Sequence, residues 1–137
     1  MSVQITREAD YAIRCILHLV GLDGGMSTVR NIADRESIPR SFAAKIVQKL
    51  TKAGLVESVR GVKGGFRITR SPEEISLLDV IEAVEGPISM NICVLDKKSC
   101  DRQPQCPVHP CWVEITESIR ERLGSYTFER ILRESGR

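Results

Sequence analysis

The sequence predicts a mainly α-helical protein with one small β-hairpin: a winged helix-turn-helix domain followed by a long C-terminal helix. Three observations support this fold class. Apolar residues recur at three- and four-residue spacing in several segments, as in amphipathic helices. Two short helical segments are joined by a tight turn at residues 37–39. Two β-branched runs around a glycine-rich turn follow directly, and this order of elements is typical of a helix-turn-helix with a wing.

Three helices are expected before the hairpin. The first begins after Thr6, a good N-cap residue, and runs to about Val20. A glycine-rich segment interrupts the pattern, and Ser27 or Thr28 can cap a short second helix. The third helix is expected at about residues 40–53. Five of its apolar residues are predicted to form a buried face: Phe42, Ala43, Ile46, Val47 and Leu50.

The opposite face of the third helix is a polar and basic stripe without an acidic residue to neutralise it. The stripe consists of Ser41, Lys45, Gln48, Lys49 and Lys52, and Arg40 begins the helix. Residues 1–70 contain 12 Lys and Arg against 6 Asp and Glu, whereas residues 71–137 contain 8 against 12. The basic half is therefore expected to meet a polyanion, and the stripe is interpreted as a recognition helix for the major groove. A charged face that only meets water is the alternative on charge alone.

The hairpin is predicted from two short runs, Leu55–Val59 and Phe66–Thr69. The turn between them combines glycines such as Gly61, which allow close backbone approach, with the cations Arg60 and Lys63, which suit phosphates or a minor groove. Because the hairpin directly follows a basic helix, it is interpreted as a DNA-binding wing rather than as an ordinary solvated hairpin.

Three regions are predicted along the chain: a DNA-binding domain at 1–86, a cysteine-rich loop at 87–111 and C-terminal helices at 112–137. The first ends with a helix capped by Ser76. The loop lacks periodicity and contains three prolines, so it is expected to be irregular and extended. The helix after it carries one apolar seam, interpreted as a dimerisation surface, with packing on its own domain as the alternative. The seam consists of Trp112, Ile115, Ile119 and Leu123, and a short last helix carries Phe128, Ile131 and Leu132.

Four of the five cysteines are clustered, and the fifth, Cys15, is expected to be a buried thiol in the first helix. No segment resembles a membrane span or a secretory signal, so the protein is expected in the cytoplasm without a membrane partner. Because the cytosol is reducing, clustered cysteines there serve more often as metal ligands or redox groups than as disulfides. The wide spacing of Cys93, Cys100, Cys106 and Cys111 favours an iron–sulfur cluster, with zinc or a metal-free dithiol as alternatives.

Over almost its whole length the chain resembles the Rrf2 family of transcription regulators, in particular its IscR and NsrR types. The resemblance is carried by ITREADYAIR, IADRESIPRSFAAKIVQKLTKAGL, SVRGVKGGF and the loop from Cys93 to His109 that Trp112 follows. It implies a homodimer on partly palindromic promoter DNA, with each wing touching the minor groove. It also implies that the helix after the cysteine loop forms the dimer.

The resemblance further implies that Cys93, Cys100 and Cys106 hold an iron–sulfur cluster, either 2Fe-2S or 4Fe-4S. Its fourth ligand is left open among three candidates. His109 occupies the position of the histidine of the IscR type and is favoured. Asp10 occupies the position of the aspartate of the NsrR type, which reaches the cluster of the partner subunit. Cys111 has no recognised counterpart, and the three alternatives are kept.

Residues that relatives use to read DNA also have counterparts. Ser41, Phe42 and Lys45 fall where relatives read bases, and Arg60 and Gly61 fall at the wing tip. The complete set expected to contact DNA is Arg40, Ser41, Phe42, Lys45, Gln48, Lys49, Arg60, Gly61 and Lys63.

The sequence thus predicts a transcription regulator, expected to be a repressor and not an enzyme, that senses redox, nitric oxide or iron–sulfur status. One alternative is a regulator of the same fold without a cluster, controlled by a metabolite or a protein partner. An alternative of another class is an iron–sulfur carrier or small redox protein. The sequence shows no paired acid and base and no nucleophile–histidine arrangement that would indicate catalysis.

Overall fold

The computed structural model describes residues 4–96 and 105–136. The described helices are α1 (Arg7–Val20), α2 (Val29–Glu36), α3 (Arg40–Lys52), α4 (Leu77–Glu85), α5 (Ile92–Leu95), α6 (His109–Ser125) and α7 (Phe128–Glu134). Strands β1 (Val56–Val59) and β2 (Gly65–Ile68) form a hairpin between α3 and α4, and a short 3-10 helix spans Pro72–Glu74. The predicted fold class, mainly helical with one hairpin, is confirmed.

Side-chain caps start α1 and α2 where the sequence predicts them. The Thr6 hydroxyl accepts a hydrogen bond from the Ala9 N–H at 3.1 Å and starts α1. Of the two candidate caps for α2, Thr28 is the cap, since its hydroxyl accepts from the Asn31 N–H at 3.1 Å. Ser37 has a φ of 56°, in the left-handed region, and this residue ends α2 and turns the chain toward α3.

The core lies between α1, α2, α3 and α4, and α7 closes it. Ile16, Ile32, Leu50 and Phe128 are all completely buried there. Phe128 is brought in by a short backbone bridge, in which its N–H donates to the Ile75 carbonyl at 2.9 Å. The last helix, predicted from its apolar residues, is therefore part of the DNA-binding domain's core.

The hairpin is antiparallel and pairs Val56 with Ile68 at the end next to α3 and Val59 with Gly65 next to the turn. The predicted strands are confirmed with a shift of one residue at three of their ends. Leu55 lies before β1 because its N–H still donates to the Leu50 carbonyl, which completes the end of α3.

Helix α4 also begins as predicted. Ser76 and Asp79 form a capping box, in which each side chain accepts a hydrogen bond from the other residue's backbone N–H. Gly86, with a φ of 84°, follows the last residue of the helix.

The predicted irregular loop at 87–111 is wrong at two places. Helix α5 lies inside it, started by Asn91, whose side chain accepts from the Ile92 N–H at 2.8 Å. Helix α6 begins at His109 rather than after Cys111. Pro110 is one of the three prolines from which the loop is predicted, but it lies in the first turn of α6, where a missing N–H leaves no hydrogen bond unmade.

The apolar seam of α6 is partly used within the chain. Leu123 packs against the core, and Gly124 lies where an added Cβ would be 3.7 Å from Leu78. Arg120 forms an ion pair with Glu82 of α4. Ile115 remains 39% exposed, so the N-terminal part of the seam is the part that stays open. Dimerisation through this helix stays a prediction. Among the residues described, no helix combines the length and the apolar character needed to cross a bilayer.

Candidate DNA interface and cysteine site

The exposed face of α3 is where the predicted recognition stripe lies. Ser41, Lys45 and Gln48 are exposed, and their three- and four-residue spacing places them on one side of the helix. Arg40 precedes them, and its guanidinium lies 3.7 Å from the carboxylate of Asp34. Both side chains of this pair are more than half exposed, at 59% and 57%, so the pair is weak and can exchange for another anion. These four predicted residues are accessible to a nucleic acid.

Lys49 does not belong to this open stripe, and the prediction that no acidic residue neutralises it is wrong. Its ammonium lies 2.7 Å from a carboxylate oxygen of Glu8 in α1 and 3.4 Å from the Val84 carbonyl at the end of α4. The Glu8 oxygen is buried and has no directional hydrogen bond among the described residues, so the ion pair compensates its charge. Lys49 therefore joins α1, α3 and α4.

Phe42 was predicted on the buried face of α3 and also among the residues that read bases. The first prediction is wrong, since Phe42 is 50% exposed. Its ring meets the edge of Tyr11, with centroids 6.2 Å apart and planes at 67°. The Arg14 guanidinium carbon lies 5.4 Å from the centroid of the Tyr11 ring. Tyr11, which the sequence analysis missed, thus supports an exposed aromatic side chain beside the polar stripe.

The wing tip presents the predicted cations to solvent. Arg60, Gly61, Val62 and Lys63 are all exposed. Gly61 has a φ of 128°, which only glycine adopts readily, so the tip depends on it.

Close backbone contacts explain why two glycines occur at the start of β2. A Cβ on Gly64 would lie 2.3 Å from the Val59 carbonyl oxygen, and a Cβ on Gly65 would lie 2.7 Å from the Ser27 carbonyl oxygen. Both distances are too short for any side chain, so these glycines let the wing approach the protein's own backbone.

The cysteine site brings two predicted ligands into contact. Cys93 lies in α5 and is only 8% exposed, and the Nδ1 atom of His109, the first residue of α6, lies 3.2 Å from its Sγ atom. Cys106 is half-buried and lies three residues before the start of α6, whereas Cys111 is exposed in the first turn of α6. Cys100 lies outside the described residues. Within the ranges 4–96 and 105–136, no three His, Cys, Asp or Glu side chains lie close enough to hold a metal ion.

Polar contacts that sequence reasoning missed hold the segment before Cys93. The Met90 N–H donates to the hydroxyl of Thr116, the buried residue of α6, at 3.0 Å. The Ile88 N–H donates to Glu82 at 2.9 Å, and the same Glu82 oxygen pairs with Arg120. The only signal in the sequence is a threonine, Thr116, beside other polar residues of the helix. Its partner, the backbone N–H of Met90, is distant in sequence and cannot be recognised from it.

Asp10, the second candidate for the fourth ligand, is engaged within α1. Its carboxylate accepts from the Arg14 guanidinium at 2.9 Å, and both side chains are nearly half exposed. Arg14 also donates to the backbone carbonyl of Glu36 at 3.3 Å. Asp10 therefore lies on the side of α1 that faces the helix-turn-helix turn, and its role toward a partner subunit stays a prediction.

Cys15 is completely buried in α1, and its predicted role as a small apolar group is confirmed. Burial raises the pKa of its thiol to about 12, and the nearby carboxylate of Glu36 adds to the increase. A thiol that keeps its proton is a poor ligand and a poor nucleophile. Cys15 is therefore not expected to act as a ligand together with the clustered cysteines.

A family model described as "Rrf2: Iron-dependent Transcriptional regulator" matches residues 5–134. The chain belongs to the Rrf2 family. The winged helix-turn-helix and its exposed basic face are therefore those of a transcriptional regulator. Among curated relatives of this Rrf2 protein, Protein aau3 of Rhizobium meliloti is 30% identical over 132 residues, which cover 96% of this chain and 86% of the relative.

Solved structures support the same conclusion for the fold. The chain is similar to CymR (YrzC), described as the global cysteine regulator of B. subtilis, with a TM-score of 0.78 and 26% identity over 95% of this chain and 96% of that one. It is also similar to IscR of T. potens, with a TM-score of 0.76 and 25% identity over 98% of this chain and 90% of that one.

Proposed function

We propose that this Rrf2 regulator binds promoter DNA as a homodimer, as a repressor, and responds to redox, nitric oxide or iron–sulfur status through an iron–sulfur cluster. In this proposal Cys93, Cys100 and Cys106 are cluster ligands and His109 is the fourth. The observation that carries it is the 3.2 Å contact between Cys93 Sγ and His109 Nδ1, two predicted ligands on different helices.

The donor set is consistent with such a cluster. Thiolate sulfur and imidazole nitrogen are both ligands that iron–sulfur clusters take in proteins. Cys106 comes three residues before His109, the first residue of α6, so one short segment contains both. When bound, the cluster would supply iron and sulfide that react with oxygen or nitric oxide and depend on iron supply.

Contacts within the chain connect the cysteine segment, here the described residues 87–96 and 105–111, to α3. Thr116 and Glu82 hold the segment before Cys93 against α6 and α4. Arg120 of α6 pairs with Glu82 of α4, and Lys49 of α3 donates to the carbonyl of Val84 near the end of α4. In our proposal, a change in the position of α6 is transmitted through α4 to the recognition helix.

The proposal is tested by anaerobic purification followed by a visible spectrum, iron and sulfide analysis, and light scattering for the oligomeric state. The same preparation, with and without its iron, is titrated with promoter fragments at several salt concentrations. We expect a coloured dimer containing iron and sulfide that binds DNA with an affinity that falls steeply as salt rises. Bound zinc in place of iron, or a monomer, would contradict the proposal.

A regulator without a cluster is the second candidate, favoured by the likeness to CymR, whose description names it a regulator of cysteine rather than an iron–sulfur protein. A colourless anaerobic preparation without iron that still binds promoter DNA would establish this candidate. A preparation that contains iron and sulfide but binds no DNA would instead favour an iron–sulfur carrier.

A further inference from the structure

His18, near the C-terminal end of α1, has a role that the DNA interface and the cysteine site do not explain. Its Nε2 atom lies 2.9 Å from the Ser27 hydroxyl, and its Nδ1 atom lies 3.4 Å from a carboxylate oxygen of Glu36. The His18 side chain is only 12% exposed and that of Glu36 is 27% exposed. Water therefore competes weakly for these two contacts, and the imidazole joins two segments that are distant in sequence.

The first of these segments holds the wing base, the residues Gly65 and Phe66 of β2 that directly follow the turn at the wing tip. The Ser27 N–H donates to the Phe66 carbonyl at 2.9 Å, and the Phe66 N–H donates to the Ser27 carbonyl at 2.8 Å. This reciprocal pair is a β-bridge that attaches β2 to the chain before α2. Ser27 is 6% exposed, and Gly65 leaves the room for its backbone to approach. Ser27 is therefore a direct attachment point of the wing base.

The second segment is the turn of the helix-turn-helix. Glu36 is the last residue of α2, and Ser37 turns the chain toward α3. Arg14 holds Glu36 independently, because it donates to the Glu36 backbone carbonyl. Contacts from Glu36 through His18 and Ser27 to Phe66 thus connect the turn before the recognition helix with the base of the wing.

We infer that His18 is a positioning residue for DNA binding, which holds the wing at a fixed place relative to α3. The inference rests on the proposed binding of promoter DNA. A wing and a recognition helix must reach the same duplex at once, so a mobile wing base lowers the affinity for DNA without removing any DNA-contacting side chain.

The contacts of His18 accommodate either charge state of the imidazole. A neutral ring can donate from Nδ1 to Glu36 and accept at Nε2 from the Ser27 hydroxyl. A protonated ring donates at both nitrogens, and the Ser27 hydroxyl then donates to the Thr28 carbonyl, 3.5 Å away. Both contacts can therefore form with either form of the ring.

Two substitutions separate the two contacts. The amide of His18→Gln can reach the place of Nε2 and keep the bond to Ser27, whereas the shorter His18→Asn places its amide near Nδ1 and loses that bond. Amide hydrogen exchange reads the wing base directly. We expect the Ser27 and Phe66 amides to exchange about tenfold faster or more in His18→Asn, and close to the wild-type rate in His18→Gln.

Binding of a promoter fragment then tests the function in a double-mutant cycle with Arg60→Ala at the wing tip. If His18 acts through the wing, His18→Asn lowers the affinity about tenfold, and it adds little once Arg60 is already Ala. Thr127→Ala is the matched control, because it removes the N-cap of α7 outside the DNA-binding elements. Its effect and that of Arg60→Ala should add, and the Ser27 exchange rate should not change.

The outcomes distinguish the two proposals. Wild-type protein that binds no promoter DNA overturns the proposed function and this inference with it. Wild-type binding together with additive effects of His18→Asn and Arg60→Ala, or with unchanged exchange at Ser27 and Phe66, overturns the role of His18 alone. The role of His18 is supported if His18→Gln shows wild-type amide exchange at Ser27 and Phe66 and wild-type affinity for DNA. The stability of His18→Gln should then equal that of His18→Asn.

Discussion

The winged helix and the cysteine segment are held by different kinds of contact. In the winged helix, capped helices enclose a core whose central side chains, such as Leu50 and Phe128, have no exposed surface. In the cysteine segment, α5 has only four residues, and two of its apolar side chains, Ile92 and Leu95, are 62% and 53% exposed. The first region gains its stability from burial, and the second gains little from it.

The difference in burial makes the cysteine segment, rather than the winged helix, the part suited to respond to a signal. A helix of four residues is unstable alone and depends on its neighbours, here on the contact of Cys93 with His109 and on the bond from Met90 to Thr116. A region with few buried apolar contacts reorganises at low cost. A change that begins at the cysteines should therefore alter their own segment first, while the winged helix stays folded.

The largest expected effect is the loss of bound iron. Cys93→Ala should abolish the iron and the visible spectrum of the anaerobically purified protein, because it removes a buried thiol beside His109. Cys15→Ala, in the winged-helix core, is the matched control and should keep both. Equal iron content in the two variants would remove the distinction between the two regions.

The fourth ligand is expected to give a graded result in the same measurement. His109→Ala should leave a more labile cluster with a shifted spectrum, because three thiolates remain. Asp10→Ala and Cys111→Ala are the comparisons. A cluster that is lost only with Cys111→Ala would contradict the choice of His109.

The second prediction compares the effect of a leucine-to-alanine substitution on the free energy of unfolding in the winged-helix core and in the cysteine segment. Leu50→Ala should lower the free energy of unfolding of the iron-free protein by about 2–5 kcal/mol, because it opens a cavity in the core. Leu95→Ala, at a residue 53% exposed, should lower it by less than about 1 kcal/mol. Urea unfolding measures both. Similar losses would mean that the cysteine segment is part of the same stable core.

The third effect concerns DNA contacts within the winged helix. Lys45→Ala should change which operator sequence is preferred, by about 1–3 kcal/mol, because Lys45 lies on the exposed face of α3. Arg60→Ala should weaken binding to all sequences more evenly. Competition among randomised operators measures this. Lys49→Ala is the control, and it should lower stability rather than change the sequence preference, because Lys49 pairs with Glu8.

The smallest effect is the pH dependence of stability due to Cys15. Its pKa is raised to about 12 in the folded protein from a model-compound value of 9.0. The folded state keeps a proton that the unfolded state releases, so the contribution is complete below pH 9 and is lost as pH rises from 9 toward 12. Urea unfolding at pH 7 and 10 should show a decrease about 1 kcal/mol larger in the wild type than in Cys15→Ala. Parallel pH profiles for Cys15→Ala and wild type would contradict the assignment.

Most of the winged helix follows from local patterns in the sequence. The caps at Thr6 and Ser76, the breaks at glycines and the two β-branched runs are local signals. Each depends on hydrogen bonds or backbone preferences within a few residues, so each can be recognised without the rest of the chain. The family resemblance was equally readable, because its motifs extend over almost the whole chain.

Tertiary structure alone decided which residues at the edges of those elements are exposed. Helical periodicity assigns Phe42 to the buried face of α3, but its ring is half exposed and contacts Tyr11 of α1. Lys49 is not part of the open stripe because it pairs with Glu8, which belongs to another helix. The contact between Cys93 and His109 depends on where α5 and α6 pack. In each case the deciding partner is distant in sequence, and a local pattern contains no information about it.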